Sequence, residues 1–150
     1  MRRLLAVRQR RAGNSAVELA ISFSVLGMLA LGIADFGRIY YASIELANAA
    51  TAGALYGVFT VGRSGNIDAM RTAALAEAAD LTGVTVTPAR YCQCPSGTTN
   101  DCSNLNACGA GVKMRYYVKV TTQKTYNTMA KFPKMPNSVN LRRTVVMRVQ

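Results

Sequence analysis

The chain has 150 residues, half of them apolar, and no histidine. That length holds one modest domain plus an anchor, and the missing imidazole removes His-based triads, His general bases and His-containing metal sites together. The net charge is +11, but five of the eighteen Lys and Arg stand in the first thirteen residues, leaving thirteen against seven acids, a net of +6.

Residues 1–13 form a basic leader carrying Arg2, Arg3, Arg8, Arg10 and Arg11, and they end at Gly13. A charge-free run from Leu19 to Ala34 follows, with Glu18 at its entrance. An ordinary secretory signal is cut after its apolar segment. Here the small residue best placed for a cut, Gly13, precedes that segment. Cleavage between Gly13 and Asn14 would remove the arginines and keep the apolar helix. From Asn14 to Asp35 the helical rise amounts to about 31 Å, close to the hydrocarbon thickness of a bilayer. Residues from about 16 to 35 are therefore expected to span a membrane, and positive flanks stay cytoplasmic. That topology puts the rest of the chain outside the cytoplasm.

The proline-free helical pattern continues over 14–61. Asp35 and Arg38 stand at i, i+3 and are expected to pair at the membrane interface. Tyr40 and Tyr41 follow where an aromatic belt meets the headgroups. Ala42, Leu46, Ala49, Gly53 and Gly57 then draw a stripe of mostly small side chains. Such a stripe lets helix backbones approach closely, whether on the chain's own domain or on neighbouring subunits.

Residues 62–150 read as an extracytoplasmic α+β domain. A break at Gly62–Asn66 precedes a second helix over Ile67–Asp80, with Met70, Ala74, Leu75 and Ala78 inward and Gly83 closing it. Val84 and Val86 then alternate with threonines in a strand ended by Pro88. Two further strands alternate Met114, Tyr116, Val118 and Val120 with Lys113, Arg115, Tyr117 and Lys119, and Leu141, Val145, Met147 and Val149 with Arg142, Thr144, Val146 and Arg148. The link 129–138, with Pro133 and Pro136, reads as a loop. The expected fold is α+β, a long N-terminal helix packed on a small antiparallel sheet with a short second helix.

Cys92, Cys94, Cys102 and Cys108 fall within seventeen residues, in a loop rich in Gly, Asn, Ser and Thr. Their C-x-C start fits zinc knuckles poorly, and the topology puts them where thiols oxidise. Two disulfides are expected and no metal. A Cys92–Cys94 bridge would strain the strand end, which favours the nested pairing Cys92–Cys108 with Cys94–Cys102. The pairing Cys92–Cys102 with Cys94–Cys108 stays open. A catalyst here would need Ser-Lys, carboxylate or tyrosine chemistry. Asp68, Glu77, Asp80 and Asp101 show no paired spacing, so no catalytic residue and no cofactor is expected. The remaining cations are scattered without aromatics gathered around them, so nucleic acid is not expected as a primary partner.

If Gly13 is the cleavage site, Glu18 becomes the fifth residue of the mature chain. A carboxylate at a membrane entrance is costly alone. The first helical turn favours it, and the new amine of Asn14, its own or a neighbour's, supplies a counter-charge. Residues 8–57 resemble the TadE-like family, minor pilins of the tight-adherence (Flp) type IV pilus system. The resemblance rests on Arg10-Arg11-Ala12-Gly13-Asn14-Ser15-Ala16-Val17-Glu18-Leu19-Ala20, on Asp35-Phe36-Gly37-Arg38, on Tyr40-Tyr41, and on Asn48-Ala49-Ala50-Thr51-Ala52-Gly53-Ala54. Members commonly carry Phe where Leu19 stands and Glu where Asp35 stands.

The resemblance implies cleavage after Gly13 by an aspartic prepilin peptidase of the bacterial inner membrane. It also implies a periplasmic C-terminal domain, partnership with other pilins, minor pilins and the pilus assembly platform, and a part in pilus assembly and surface adhesion. The alternative is a membrane-anchored extracytoplasmic binding domain that never enters a filament.

Overall fold

A helix of 57 residues, α1 (Arg2–Val58), opens the chain. It begins in the basic leader rather than at Asn14, because the leader's Arg, Leu, Ala and Gln are good helix formers and contain no proline. The structure, a computed structural model, describes residues 2–104, 107–109, 111–129 and 137–150, with the backbone alone over 2–13.

The expected break after α1 contains a short helix, α2 (Val61–Ser64), whose cap Thr60 accepts the Arg63 N–H at 3.2 Å. The second helix, α3 (Ile67–Glu77), is capped by Asn66, whose side-chain oxygen accepts the Ala69 N–H at 3.0 Å. Met70, Ala74 and Ala78 are buried as expected, but Leu75 is exposed. One residue beyond Ala74 is a rotation of about 100°, which carries Leu75 off the narrow inward stripe. Gly83 does not close α3; it takes a φ of 73° in the turn before the sheet, a conformation that favours glycine.

Four antiparallel strands follow, β1 (Thr85–Gln93), β2 (Thr99–Asn100), β3 (Arg115–Asn127) and β4 (Ser138–Arg148), in the order β2-β1-β3-β4. Pro88 does not end β1 but lies inside it, opposite Val120. There β1 has β3 on one side, and β2 pairs only with Cys92 and Gln93 on the other. An open edge of this kind tolerates a residue without an N–H. The two-residue β2 is too short to leave an alternating pattern. The loop 129–138 lies outside the described residues over 130–136.

The chain divides into two units, Met1–Arg38 with Thr128–Asn137, and Ile39–Asn127 with Ser138–Gln150. In the second unit, α1 from Ile39 onward and α3 cover one face of the sheet. Ala50, Ala54, Met70, Ala74, Val86, Val118, Val120 and Val149 form the core. The stripe foreseen on α1 is buried here: Ala42, Leu46, Ala49, Gly53 and Gly57 all face the unit's own interior. A Cβ on Gly53 would stand 2.9 Å from the Met70 carbonyl oxygen and 3.0 Å from the Ala74 Cβ. Glycine at this position is what allows the two helices to touch. Thr122, fully buried, donates its hydroxyl to the Leu46 carbonyl at 2.8 Å, and the Arg143 guanidinium donates to Ser43 Oγ. The buried hydroxyl is thereby satisfied. The Gln150 N–H reaches the Val58 carbonyl at 3.1 Å, one of the helix-end acceptors that lack an intrahelical partner.

Candidate functional site

Every residue from Asn14 to Ala34 is exposed. Phe23 and Ile33, at 70% and 72% exposure, represent a surface that is apolar around the whole circumference rather than along one stripe. A helix apolar all round is stable only when lipid or other helices cover it. Among the described residues one helix is long and apolar enough to cross a membrane, and it is this one.

Glu18 stands at its entrance. It is exposed and has no ion-pair partner among the described residues. Gly13 and Asn14 both lie within α1, and Asn14 is exposed. Asn14 and Glu18 are four residues apart, so they share one face of the helix one turn apart.

Among the described residues 14–38 of the first unit's helix, Asp35 alone is buried, at 8% exposure. Both of its carboxylate oxygens accept the Met129 backbone N–H, each at 3.0 Å. The acidic side chain thus ties the helix to the start of the 128–137 connection. Thr128 closes the same connection at its base, its N–H and hydroxyl donating to the Asn137 carbonyl at 3.1 and 3.2 Å. Arg38, one turn on, is exposed. Sequence reading gave Asp35 a place at the interface with Arg38; the contact with Met129, ninety-four residues away, carries no sequence signal.

Tyr40 and Tyr41, at the start of the second unit's helix, are exposed. The Glu45 carboxylate one turn beyond Tyr41 pushes its phenol above the ordinary value. Partial desolvation, the charge of Asp80 and a hydrogen bond with Glu45 add to that rise. A phenolate there would stand among carboxylates.

The four cysteines form two disulfides, but not the nested pair. Cys92 joins Cys102 with Cα atoms 5.1 Å apart, and Cys94 joins Cys108 at 5.4 Å. The β1–β2 hairpin decides it. Its turn is fixed by the Gly97 N–H to the Cys94 carbonyl at 2.9 Å and the Cys94 N–H to the Thr98 carbonyl at 3.0 Å. Cys92 is opposite Asn100, so Cys102 continues away from the turn, past Cys92, on the same side of the ribbon. Cys94, beside the turn, is left for Cys108. Among the described residues no group of three or more His, Cys, Asp or Glu could hold a metal ion.

The expectation of scattered cations without aromatics does not hold for the sheet. Tyr91 and Tyr117 stack with centroids 5.3 Å apart and an interplanar angle of 11°. Tyr117 is opposite Arg148 in the neighbouring strand. Strand parity in β1, β3 and β4 was the available signal, but it shows the cluster only once the register is known.

An exposed apolar helix with the length and composition to cross a membrane is joined in sequence to a small disulfide-bonded α+β unit, the layout a single-pass membrane protein would have. A family model described as TadE-like protein matches residues 13–55. The resemblance read from the motifs is thus matched over that segment. The match runs from Gly13 through Glu18, Asp35, Arg38, Tyr40 and Tyr41 into the buried small-residue stripe. No curated protein and no solved structure matches the chain.

Proposed function

We propose that the protein is a minor pilin of a tight-adherence type IV pilus, non-enzymatic, acting in pilus assembly and surface adhesion. The observation that carries this reading is the helix 14–34, exposed on every side and headed by Gly13, Asn14 and Glu18. Its roles follow from the chemistry of that junction. A prepilin peptidase cuts between Gly13 and Asn14, removing residues 1–13 and creating an amine. Before export into a filament the helix is held by lipid; in the filament neighbouring pilin helices replace lipid around it. Glu18 then pairs with the Asn14 amine of an adjacent subunit, which sets the stagger between helices, since a carboxylate in an apolar bundle is tolerated only with a counter-charge. After cleavage, residues 14–58 form the pilin-like helix, Asp35, Arg38, Tyr40 and Tyr41 mark its outer membrane boundary, and 62–150 lie in the periplasm.

Intact-mass measurement and N-terminal sequencing of the protein from cells with an active prepilin peptidase test this. Loss of residues 1–13 is expected. A retained leader favours a membrane-anchored binding domain outside any filament. Glu18→Ala should leave insertion intact and reduce piliation; full piliation by that variant removes the pairing role.

A further inference from the structure

We propose that the uncovered face of the sheet binds a linear, carboxylate-bearing polysaccharide. The helices cover one face through Val86, Val118 and Val120, and by strand alternation the opposite face presents odd-numbered residues of β1 and β3 and even-numbered residues of β4. That face carries Arg115, Lys119, Arg142 and Arg148, all exposed. Strands β1, β3 and β4 contain no Asp or Glu at all. The four cations therefore have no carboxylate in their own sheet to neutralise them, and their charge is complementary to an acidic chain.

The register arranges them along a track. Tyr91, Tyr117 and Arg148 lie across three strands in one row; Ala89, Lys119 and Val146 form the next; Thr87, Thr121 and Thr144 the third; Thr85, Gln123 and Arg142 the fourth. Each row is about 6.8 Å from the last, so the cations from Arg115 to Arg142 extend over about 27 Å. A compact anion would use one of these groups, whereas a polymer engages several.

The aromatic pair and the hydroxyls decide which polymer. Single-stranded nucleic acid is held by bases stacking on free aromatic faces along a basic groove. Here Tyr91 and Tyr117 are stacked on each other, which occupies one face of each ring, and both are half-buried. Between the cations the exposed hydroxyls are those of Thr85, Thr87 and Thr144, and Thr144 is bonded at 3.0 Å to the hydroxyl of Thr121, which is buried. Hydroxyls of this kind both donate and accept, as sugar hydroxyls do. The inference stands on the sheet alone, so failure of the pilin reading leaves it in place.

Binding of polygalacturonate to the full chain in detergent, measured across a salt series, tests the proposal. Binding that weakens as salt rises is expected. Lys119→Glu combined with Arg148→Glu should weaken it about tenfold, and Lys119→Gln with Arg148→Gln should shift it in the same direction. Arg71→Glu, the same change of charge on α3, should leave it unchanged. Tyr91→Phe with Tyr117→Phe should cost about threefold through the lost hydroxyls. Tighter binding to single-stranded poly(dT) than to polygalacturonate assigns the face to nucleic acid and overturns the proposal. So does the absence of polygalacturonate binding, or binding that survives the charge reversals in a chain with both disulfides intact.

Discussion

From Asn14 to Ala34, α1 buries no residue, whereas from Ala42 to Gly57 it buries Ala42, Leu46, Ala49, Gly53 and Gly57 against the helix α3 and the sheet. Both stretches are rich in small and apolar side chains, so composition does not separate them. The arrangement does. The first carries no charge from Leu19 to Ala34 and is apolar around its circumference; the second keeps Glu45 and Asn48 off the buried stripe. The glycines report the same contrast. A Cβ at Gly27 or Gly32 would meet nothing within 4 Å, while one at Gly57 would come within 2.5 Å of Met70 Sδ and 3.0 Å of Val118 Cγ1. One stretch has its partner within the chain. The other has a surface that must be covered from outside it, and the proposed pilin role follows from that difference.

The sharpest way to break the comparison is at the head of the exposed stretch. Gly13→Val should abolish removal of residues 1–13, read as an unprocessed mass in cells that process the wild type, and unchanged cleavage would remove Gly13 from the site. Next in size is a bulky side chain in each stretch. Gly53→Leu drives its side chain into the Met70 backbone carbonyl, which has no rotamer to escape by, and should destabilise the folded domain by about 3 kcal/mol in denaturant unfolding. Gly32→Leu should leave that unfolding unchanged. Equal effects from the two variants would show that the exposed stretch also packs on the domain. Smaller again is Asp35→Asn, which removes the charge from the hydrogen bond to Met129. It should cost about 1.5 kcal/mol locally, seen as roughly tenfold faster hydrogen exchange of the Met129 amide.

The same contrast explains what could be read from the sequence. Periodicity of three to four placed the buried stripe on α1, and periodicity of two placed Val118 and Val120 inside and Lys119 outside, because those patterns are local. Cys92–Cys102 pairing was not local: it depends on a hairpin whose second strand is only Thr99 and Asn100, too short to leave a pattern. Pro88 misled for a related reason. Proline ends a central strand, and only the sheet order shows that β1 is an open edge at that point. Leu75 adjoins Ala74 and would fit a broad apolar stripe, but Gly53 lets α1 and α3 touch closely enough that a narrow one suffices. The Asp35–Met129 contact and the Tyr91–Tyr117 stack join residues distant in sequence, and nothing in either segment alone announces its partner. Residues whose role is set by a neighbour along the helix were legible; residues whose role is set by register or by a distant backbone group were not.

The smallest expected effect concerns the domain's helical surface just past the proposed membrane boundary. Tyr41 is exposed, and its phenol is held above the ordinary value first by the Glu45 carboxylate. Ionisation would put a phenolate beside that carboxylate, so the proton is retained to higher pH in the folded chain than in the unfolded one. Folding is unaffected below the ordinary phenol range, and the contribution is lost only as pH rises through the raised value. Glu45→Gln should therefore move the Tyr41 ultraviolet titration to lower pH while leaving the domain's unfolding at neutral pH unchanged. Because the group is solvated, added salt should narrow the gap between wild type and variant. A gap that is indifferent to salt would mean that Tyr41 is covered, and that the exposed character assigned to this turn of α1 is wrong.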